Sequence, residues 1–386
     1  MSKAATIEVS SSLLRWARES AGLSIDKAAK RTGIKPDRLA AWETRNARPT
    51  PRQIERLAEA YKRPVAVFFL PQPPTEAPLP LDFRVLPSGR RSTLSEATLL
   101  ALRRARRLKQ VYAELKHHLG ERAVPALAHV RLSHHPEQAS RAVREMLAVS
   151  MEVLAGRTPH EVLNVWRGAV ERLDVLVFQF GMPLAEIRGF SLAEGVPAIV
   201  LNTKDSPHAR IFTVVHELAH LLLRRPGLCN PDETVEPRAD GDVEAFCNAV
   251  AGACLVPLDA LLARGPVAAL RRGRARLDDA LADGVAAFGV SRRVILRRLL
   301  KARVVSEREY RRITRGWDED ARARPKKRST GGPAPALRTV SELGRPFVSQ
   351  VLHARERHEI TDADVADYLS IRLKHLPRVQ ALVTSE

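Results

Sequence analysis

Apolar residues recur at spacings of three and four along most of the chain, which is the pattern of amphipathic helices. In the first 70 residues this pattern predicts four short helices, beginning at LLRWARESAG (13–22), SIDKAAKRTG (24–33), IKPDRLAAWETR (34–45) and TPRQIERLAEAYKR (50–63). Ser24 is a candidate N-cap for the second helix, Gly33 a candidate stop, and Pro36 fits the first turn of the third helix. Two short helices joined by a turn that contains glycine form a helix-turn-helix unit.

The pattern changes near residue 174. A long helical stretch at 95–125 has an arginine-rich polar face, whereas LDVLVFQF, GFSLA and PAIVLN are short β-type runs separated by Gly and Pro. These runs predict a small three-stranded sheet, followed by a helix that contains VVHELAHLLL (214–223).

Pro-rich and basic stretches predict the domain boundaries. We expect a helix-turn-helix domain at 1–70, a Pro-rich linker at 71–94, a central domain at 95–321, a basic Gly/Pro linker at 322–338 and a helical C-terminal module at 339–386. The fold class expected is multidomain and mainly α, with an α+β centre.

The C-terminal module has two or three short helices, one of them capped by Thr361. His353, His358 and His375 have no partner at metal-ligand spacing, which favours surface or packing roles for them. A docking or dimerisation module is the plain interpretation of this segment.

The net charge of +19 favours a polyanionic partner, because basic side chains release the counterions of nucleic acid. A GC-rich genome also yields Ala- and Arg-rich chains, so the charge needs a located motif. Residues 1–70 carry 14 Lys and Arg against 7 Asp and Glu, a net of +7, so the charge accompanies the helix-turn-helix pattern. The exposed candidates for contact with double-stranded DNA are Lys35, Asp37, Arg38 and Arg45, on and after the second helix of the unit. A helical adaptor that binds protein is the alternative.

This stretch resembles the Xre/Cro repressor-type DNA-binding domain over some 55 residues, including the run RLAAWETRNARPT (38–50). The resemblance implies a lambda-repressor-like helical fold and an operator as partner, with a homodimer possible on two-fold operators. Arg45 stands where that family usually has glycine, so a left-handed conformation at this position would be strained.

VVHELAHLLL contains His216 and His220 four residues apart, with Glu217 between them. On a helix the two imidazoles lie on one face and can share a Zn²⁺ ion, while the glutamate serves as general base. Glu244 opens a downstream amphipathic helix and is the preferred third ligand. The rivals for that role lie in the preceding loop, which contains Pro and Gly, namely Glu236, Asp240 and Asp242. The alternative is an inert apolar helix that carries two histidines.

The run PAIVLN just before this helix is expected to provide a sheet edge for an extended peptide. Arg210 is near in sequence and is a weak candidate for stabilising an oxyanion.

The runs GFSLAEGVPAIVLN, ARIFTVVHELAHLLL and VEAFCNAVAGACLVP, between about 185 and 260, resemble the ImmA/IrrE family of zinc metallopeptidases. The resemblance implies a zincin-like domain in which His216, His220 and Glu244 bind zinc and Glu217 is the general base. Cys247 stands where alanine is usual in that family.

The segment 277–310 repeats the pattern of helix, Gly turn, Ser cap and second helix, and the family often carries such a segment. It is a candidate second helix-turn-helix whose basic side chains contact phosphates or simply face solvent, namely Arg292, Arg293, Arg297 and Arg298.

Family members of the ImmA/IrrE type cleave Xre-type repressors and switch on stress or mobile-element genes. The resemblance therefore implies a DNA-binding regulator fused to a peptidase that cleaves a repressor protein or this chain itself. The alternative is a non-proteolytic antitoxin of a toxin-antitoxin module, which binds DNA and a partner toxin.

The sequence shows no secretion signal and no apolar run of about 20 residues, so the cytoplasm is the expected location and no membrane partner is expected. The cysteines Cys229, Cys247 and Cys254 form no CxxC motif, and we expect Cys247 and Cys254 in the core.

Overall fold

The computed structural model describes residues 6–45, 47–74, 94–121, 127, 135–223, 228–229, 239–323 and 332–384, with backbone only at 228–229, 239–242 and 320–323. The chain divides into two compact units, Met1–Arg104 and Ala105–Glu386. Residues 75–93 of the first predicted linker (71–94) and residues 324–331 of the second (322–338) lie outside the described residues.

The first unit is helical. Its helices are α1 (Ser11–Ser20), α2 (Ile25–Thr32), α3 (Pro36–Glu43), α4 (Pro51–Tyr61), a 3₁₀ helix (Val65–Phe69) and the first part of α5 (Glu96–His118). The Ser24 hydroxyl accepts a hydrogen bond from the Lys27 backbone N–H, and Gly33 ends α2 with φ +68°, which confirms both predictions. Pro36 occupies the first turn of α3, where a missing N–H has no cost. Leu39 and Trp42 pack into the core beneath α3.

The second unit contains the rest of α5, the 3₁₀ helix Leu373–His375 and the remaining α-helices. They are α6 (Pro136–Leu147), α7 (Met151–Leu154), α8 (Pro159–Glu171), α9 (Pro207–Leu222), α10 (Ala239–Leu255), α11 (Leu258–Leu262), α12 (Gly265–Arg271), α13 (Leu277–Phe288), α14 (Arg292–Lys301), α15 (Glu307–Ala323), α16 (Pro335–Leu343), α17 (Arg345–Glu356), α18 (Asp362–Leu369) and α19 (Leu376–Thr384). Thr361 caps α18 as predicted. No helix in the described part of the chain has the length and apolar character needed to cross a membrane.

The predicted strands form one sheet with β1 (Leu176–Phe180), β2 (Gly189–Leu192) and β3 (Ala198–Asn202). The strand order is β1-β3-β2-β4, where β4 is the two-residue strand Leu228–Cys229. β3 pairs in parallel with β1 and antiparallel with β2. The three predicted strands and the helix that follows them are confirmed. The short fourth strand, β4, was not predicted from the pattern of apolar residues.

The expectation that PAIVLN forms a sheet edge is wrong. This run is β3, which has neighbours on both sides, and all five of its residues are buried. A continuous apolar run is typical of a strand covered on both faces, and pairing order does not follow sequence order.

The sheet of the second unit is covered on both faces. Val177, Ile199 and Leu201 belong to the core shared with α8, α9 and α10. On the opposite face, Phe178 meets Phe347 of α17 edge to face with ring centroids 6.0 Å apart, and Phe347 also stacks on Tyr112 of α5. The C-terminal helices therefore form part of the packing that holds the sheet.

Helices α13 and α14 form the second helix-turn-helix arrangement. Gly289 ends α13 with φ +65°, and Ser291 caps α14. Arg298 is not available to DNA, because it is buried, pairs with Glu137 at 2.7 Å and donates to the Val256 carbonyl. DNA contact by Arg292, Arg293 and Arg297 stays a prediction. Two of these side chains already pair with carboxylates, Arg292 with Asp278 and Arg293 with Asp318.

Candidate metal centre

Helix α9 carries the histidine pair. Ser206 caps it by accepting from the Ala209 N–H, and Pro207 starts it, so its first turn is fixed by local sequence. The helix is buried nearly all round, because it lies between the sheet and α8 and α10. His216 and His220 are each 1% exposed, which places both imidazoles in an environment without bulk water.

Three ligand groups converge beside this helix. The Nε2 atoms of His216 and His220 are 3.1 Å apart. A Glu244 oxygen lies 3.3 Å from the His216 Nε2, and the other lies 3.0 Å from the His220 Nε2. Among the described residues, these three are the group of His, Cys, Asp and Glu that meets the geometry of a metal site.

The arrangement fits a tetrahedral zinc ion. Ligand atoms about 2.0–2.1 Å from such an ion lie about 3.3 Å from one another, which matches the three observed separations. Two imidazoles and one carboxylate leave the fourth position for water or substrate, as in catalytic zinc sites. The Nδ1 atoms of both histidines are buried and lack a hydrogen bond of normal geometry to any described group. The Nε2 atoms are therefore the ones directed at the shared site.

Glu244 supplies the negative charge of the site. Burial raises the pKa of its carboxyl, but the hydrogen bonds and charges of His216 and His220 outweigh burial and lower that pKa to about 2. The carboxylate is therefore ionised over the physiological range, as a ligand must be. Of the rival ligands, Glu236 lies outside the described residues, and the side chains of Asp240 and Asp242 are likewise not described.

Glu217 lies next to this cluster on α9 and takes no part in it. Its side chain is fully buried, and burial raises the pKa of its carboxyl. The charges of His220 and His216 and the nearby Ser191 hydroxyl act in the opposite direction, without cancelling the rise. Neither Glu217 oxygen has a hydrogen bond of normal geometry to a described group. A buried carboxyl with a raised pKa beside a metal site suits a general base.

Sequence reasoning missed three side chains that surround the ligands. Cys247 is buried in the core as predicted, but its thiol also lies close to the His220 ring. Phe212 stacks on the His216 ring with centroids 6.0 Å apart. Helical spacing could have indicated Phe212 and Cys247, because Phe212 lies one turn before His216 and Cys247 lies one turn after Glu244. No feature of the sequence indicated Ser191, which lies on β2.

Arg210 does not contact the metal cluster. Its Nη1 donates to Gln179 Oε1 at 2.7 Å, and Gln179 donates in turn to the Ser341 carbonyl of α16. It therefore ties the first turn of α9 to β1 and to the C-terminal helices, and the structure gives no support for an oxyanion role.

The four candidate DNA contacts lie in the first unit, and all four side chains are exposed. Lys35 caps α3, Asp37 and Arg38 lie in its first turn, and Arg45 follows its end. Arg45 has φ +64°, the left-handed conformation for which the related family uses glycine, and its Nε donates to the Ser11 hydroxyl at 3.2 Å. Whether these side chains touch DNA stays a prediction.

Comparison with known families gives one match over the candidate metal site and one over the N-terminal helices. Residues 170–300 match an IrrE N-terminal-like domain, which belongs to a metallopeptidase family, and residues 11–67 match a helix-turn-helix domain. The first match contains the three candidate ligands and Glu217, and the second contains α1 to α4. No curated protein matches the chain. The chain is a fusion of an N-terminal helix-turn-helix domain and an IrrE N-terminal-like domain of the zincin type.

Proposed function

We propose that this chain is a DNA-binding transcriptional regulator with a zinc-dependent endopeptidase, which cleaves a repressor protein or the chain itself to switch gene expression. The observation that carries the proposal is the convergence of His216, His220 and Glu244, with the buried Glu217 carboxyl beside them. In an inert helix, two buried imidazoles and a carboxylate directed at one point would be costly, because buried polar groups need partners.

The residues divide the chemistry among them. His216, His220 and Glu244 would hold the zinc ion. Zinc, when bound, polarises the scissile carbonyl and lowers the pKa of a water molecule to about 7. Glu217 accepts the proton of the attacking water on a carboxylate oxygen and then delivers it to the leaving amine. Its raised pKa suits both steps, because a carboxyl that holds a proton more firmly than usual can accept the proton and then return it.

An extended substrate needs a strand edge beside α9. β4 is the edge strand on the side of β2, and it lies against α9. A peptide is therefore expected to add at the β4 edge. The helix-turn-helix domain would bring this edge to a protein bound at the same operator, which favours a repressor of the same class as substrate.

The test uses the full chain, loaded with zinc and incubated with the repressor-type proteins encoded beside its own gene. Cleavage of one of them, or of the chain itself, that stops on chelation and returns with zinc supports the proposal. Zinc-loaded protein that cleaves none of them, yet binds a neighbouring toxin, would instead favour the antitoxin function.

The DNA-binding part has its own prediction. A Lys35→Ala, Arg38→Ala double variant is expected to bind a duplex from the region upstream of its gene about 10- to 100-fold more weakly, with a shallower dependence of affinity on salt. Fluorescence anisotropy at several salt concentrations measures both. The matched control is Arg52→Ala, Arg56→Ala on α4, which removes the same charge from exposed positions outside the turn. Equal losses in the two variants would mean that total charge, and not α3, determines binding.

A further inference from the structure

Strand β2 lies unusually close to helix α9. A Cβ atom on Gly189 would be 2.5 Å from the Thr213 Cγ2 and 2.8 Å from the Val200 carbonyl oxygen, so only glycine fits there. This approach fixes the distance and register between the strand and the helix that carries the metal ligands.

Along this contact, the spacing between same-face residues of the strand nearly equals the rise of four residues of the helix. Two residues along a strand advance about 6.7 Å on the same face, and four residues along a helix advance about 6.0 Å. Gly189 faces Thr213, so Ser191 faces Glu217. Both Ser191 and Glu217 are 0% exposed, and the Ser191 hydroxyl lies near enough to the Glu217 carboxyl to lower its pKa, while no described group makes a hydrogen bond of normal geometry to either Glu217 oxygen.

Glu217 needs such a partner. Its neighbours on the other side are metal ligands, whose Nε2 and carboxylate atoms are directed at the metal position. A carboxylate on three rotatable bonds is an effective base only when it is held within hydrogen-bonding distance of the proton it accepts.

We propose that Ser191 is a positioning residue: its hydroxyl donates to one Glu217 oxygen, fixes the plane of the carboxylate and leaves the other oxygen to accept the proton of the attacking water. The catalytic consequence rests on the proposed endopeptidase function, whereas the orientation of Glu217 does not. No metal ligand is involved, so zinc affinity is expected to be independent of Ser191.

The structural arm of the test compares crystal structures of the wild-type chain and Ser191→Ala. One Glu217 orientation directed at Ser191 is expected in the wild type, and a rotated or divided carboxylate in the variant. Zinc affinity, measured by competition with a chromophoric chelator, is expected to be the same in both. A carboxylate that keeps its orientation without the hydroxyl overturns the proposal, whether or not the protein cleaves peptides.

The kinetic arm uses whichever substrate the zinc-loaded chain cleaves. Ser191→Ala is expected to lower kcat about 10- to 100-fold with little change in KM, the size typical of partners that orient a catalytic group. Ser191→Thr, which keeps the hydroxyl, is expected to restore most of the rate. Ser140→Ala removes another buried hydroxyl, on α6, and is expected to leave kcat unchanged.

A double variant separates positioning from a general structural effect. In a Glu217→Gln background, Ser191→Ala is expected to cause no further loss, because the hydroxyl acts only through that carboxylate. The same fold-loss in both backgrounds would mean that Ser191 acts independently of Glu217, and the assignment would be wrong.

Discussion

Replacing Glu217 by glutamine is expected to lower kcat for peptide cleavage by about 10²- to 10⁴-fold, the contribution typical of a general base. Glutamine has the shape of glutamate but accepts no proton at neutral pH. The three ligands are untouched, so zinc content measured by atomic absorption is expected to remain one ion per chain. Rates are measured with saturating substrate on zinc-loaded protein.

Two comparisons make this result specific. Glu145→Gln on α6 makes the same charge change at an exposed position and is expected to leave kcat unaltered. His220→Ala is expected to lose activity together with zinc, whereas Glu217→Gln loses activity alone. Full activity in Glu217→Gln would remove the base from the mechanism, even with zinc still bound.

The convergence of the three candidate ligands could be predicted because it depends on helix periodicity. The spacing of His216 and His220 places both imidazoles on one face, and the start of an amphipathic helix singles out Glu244. The structure brings the three side chains together as that reasoning expects. Each step uses local sequence and one assumption, that the two helices pack together.

The surroundings of the ligands could not be predicted, because they depend on strand pairing. The apolar run of β3 gives no sign of which strands lie beside it, so the free edge was assigned to the wrong strand. The position of Ser191 opposite Glu217 follows from the register of β2 against β3 and from the close contact at Gly189. Neither is encoded in residues close to the metal ligands.

The first unit shows the same division. Caps and turn residues predicted α2 and α3, but the ion pair that joins α1 to α3 has partners 25 positions apart. Arg18 Nε lies 2.7 Å from Glu43 Oε1, with both side chains buried. The hydrogen bond to Glu43 raises the pKa of Arg18, so the guanidinium stays charged at any physiological pH. It fixes the end of α3, just before the left-handed Arg45.

For the C-terminal helices, the prediction from the sequence and the observed packing differ most. The pattern after residue 338 suggested a docking module, yet α16 packs along β1. Arg167 of α8 donates to the Ser341 carbonyl and to the Val177 carbonyl, each at 2.6 Å, and pairs with Glu171 at 3.0 Å. Burial raises the pKa of Glu171, so this carboxylate depends on its arginine partner. Gly344, between α16 and α17, lies directly over this pair.

Gly344→Ala is therefore expected to destabilise the second unit by roughly 3–5 kcal/mol, which combines backbone strain and overpacking. Gly344 has φ +82° and ψ 151°, a region essentially restricted to glycine. An added Cβ would lie 2.7 Å from the Glu171 Oε1 and 3.2 Å from the Val177 carbonyl oxygen. Urea unfolding followed by circular dichroism measures the loss.

Gly156→Ala is the matched control, because Gly156 has φ +71° but no described atom within 4 Å of its added Cβ. It is expected to cost only about 1–2 kcal/mol from strain. Equal losses in the two variants would mean that the close approach to the Arg167–Glu171 pair contributes nothing, and that the C-terminal helices are held elsewhere.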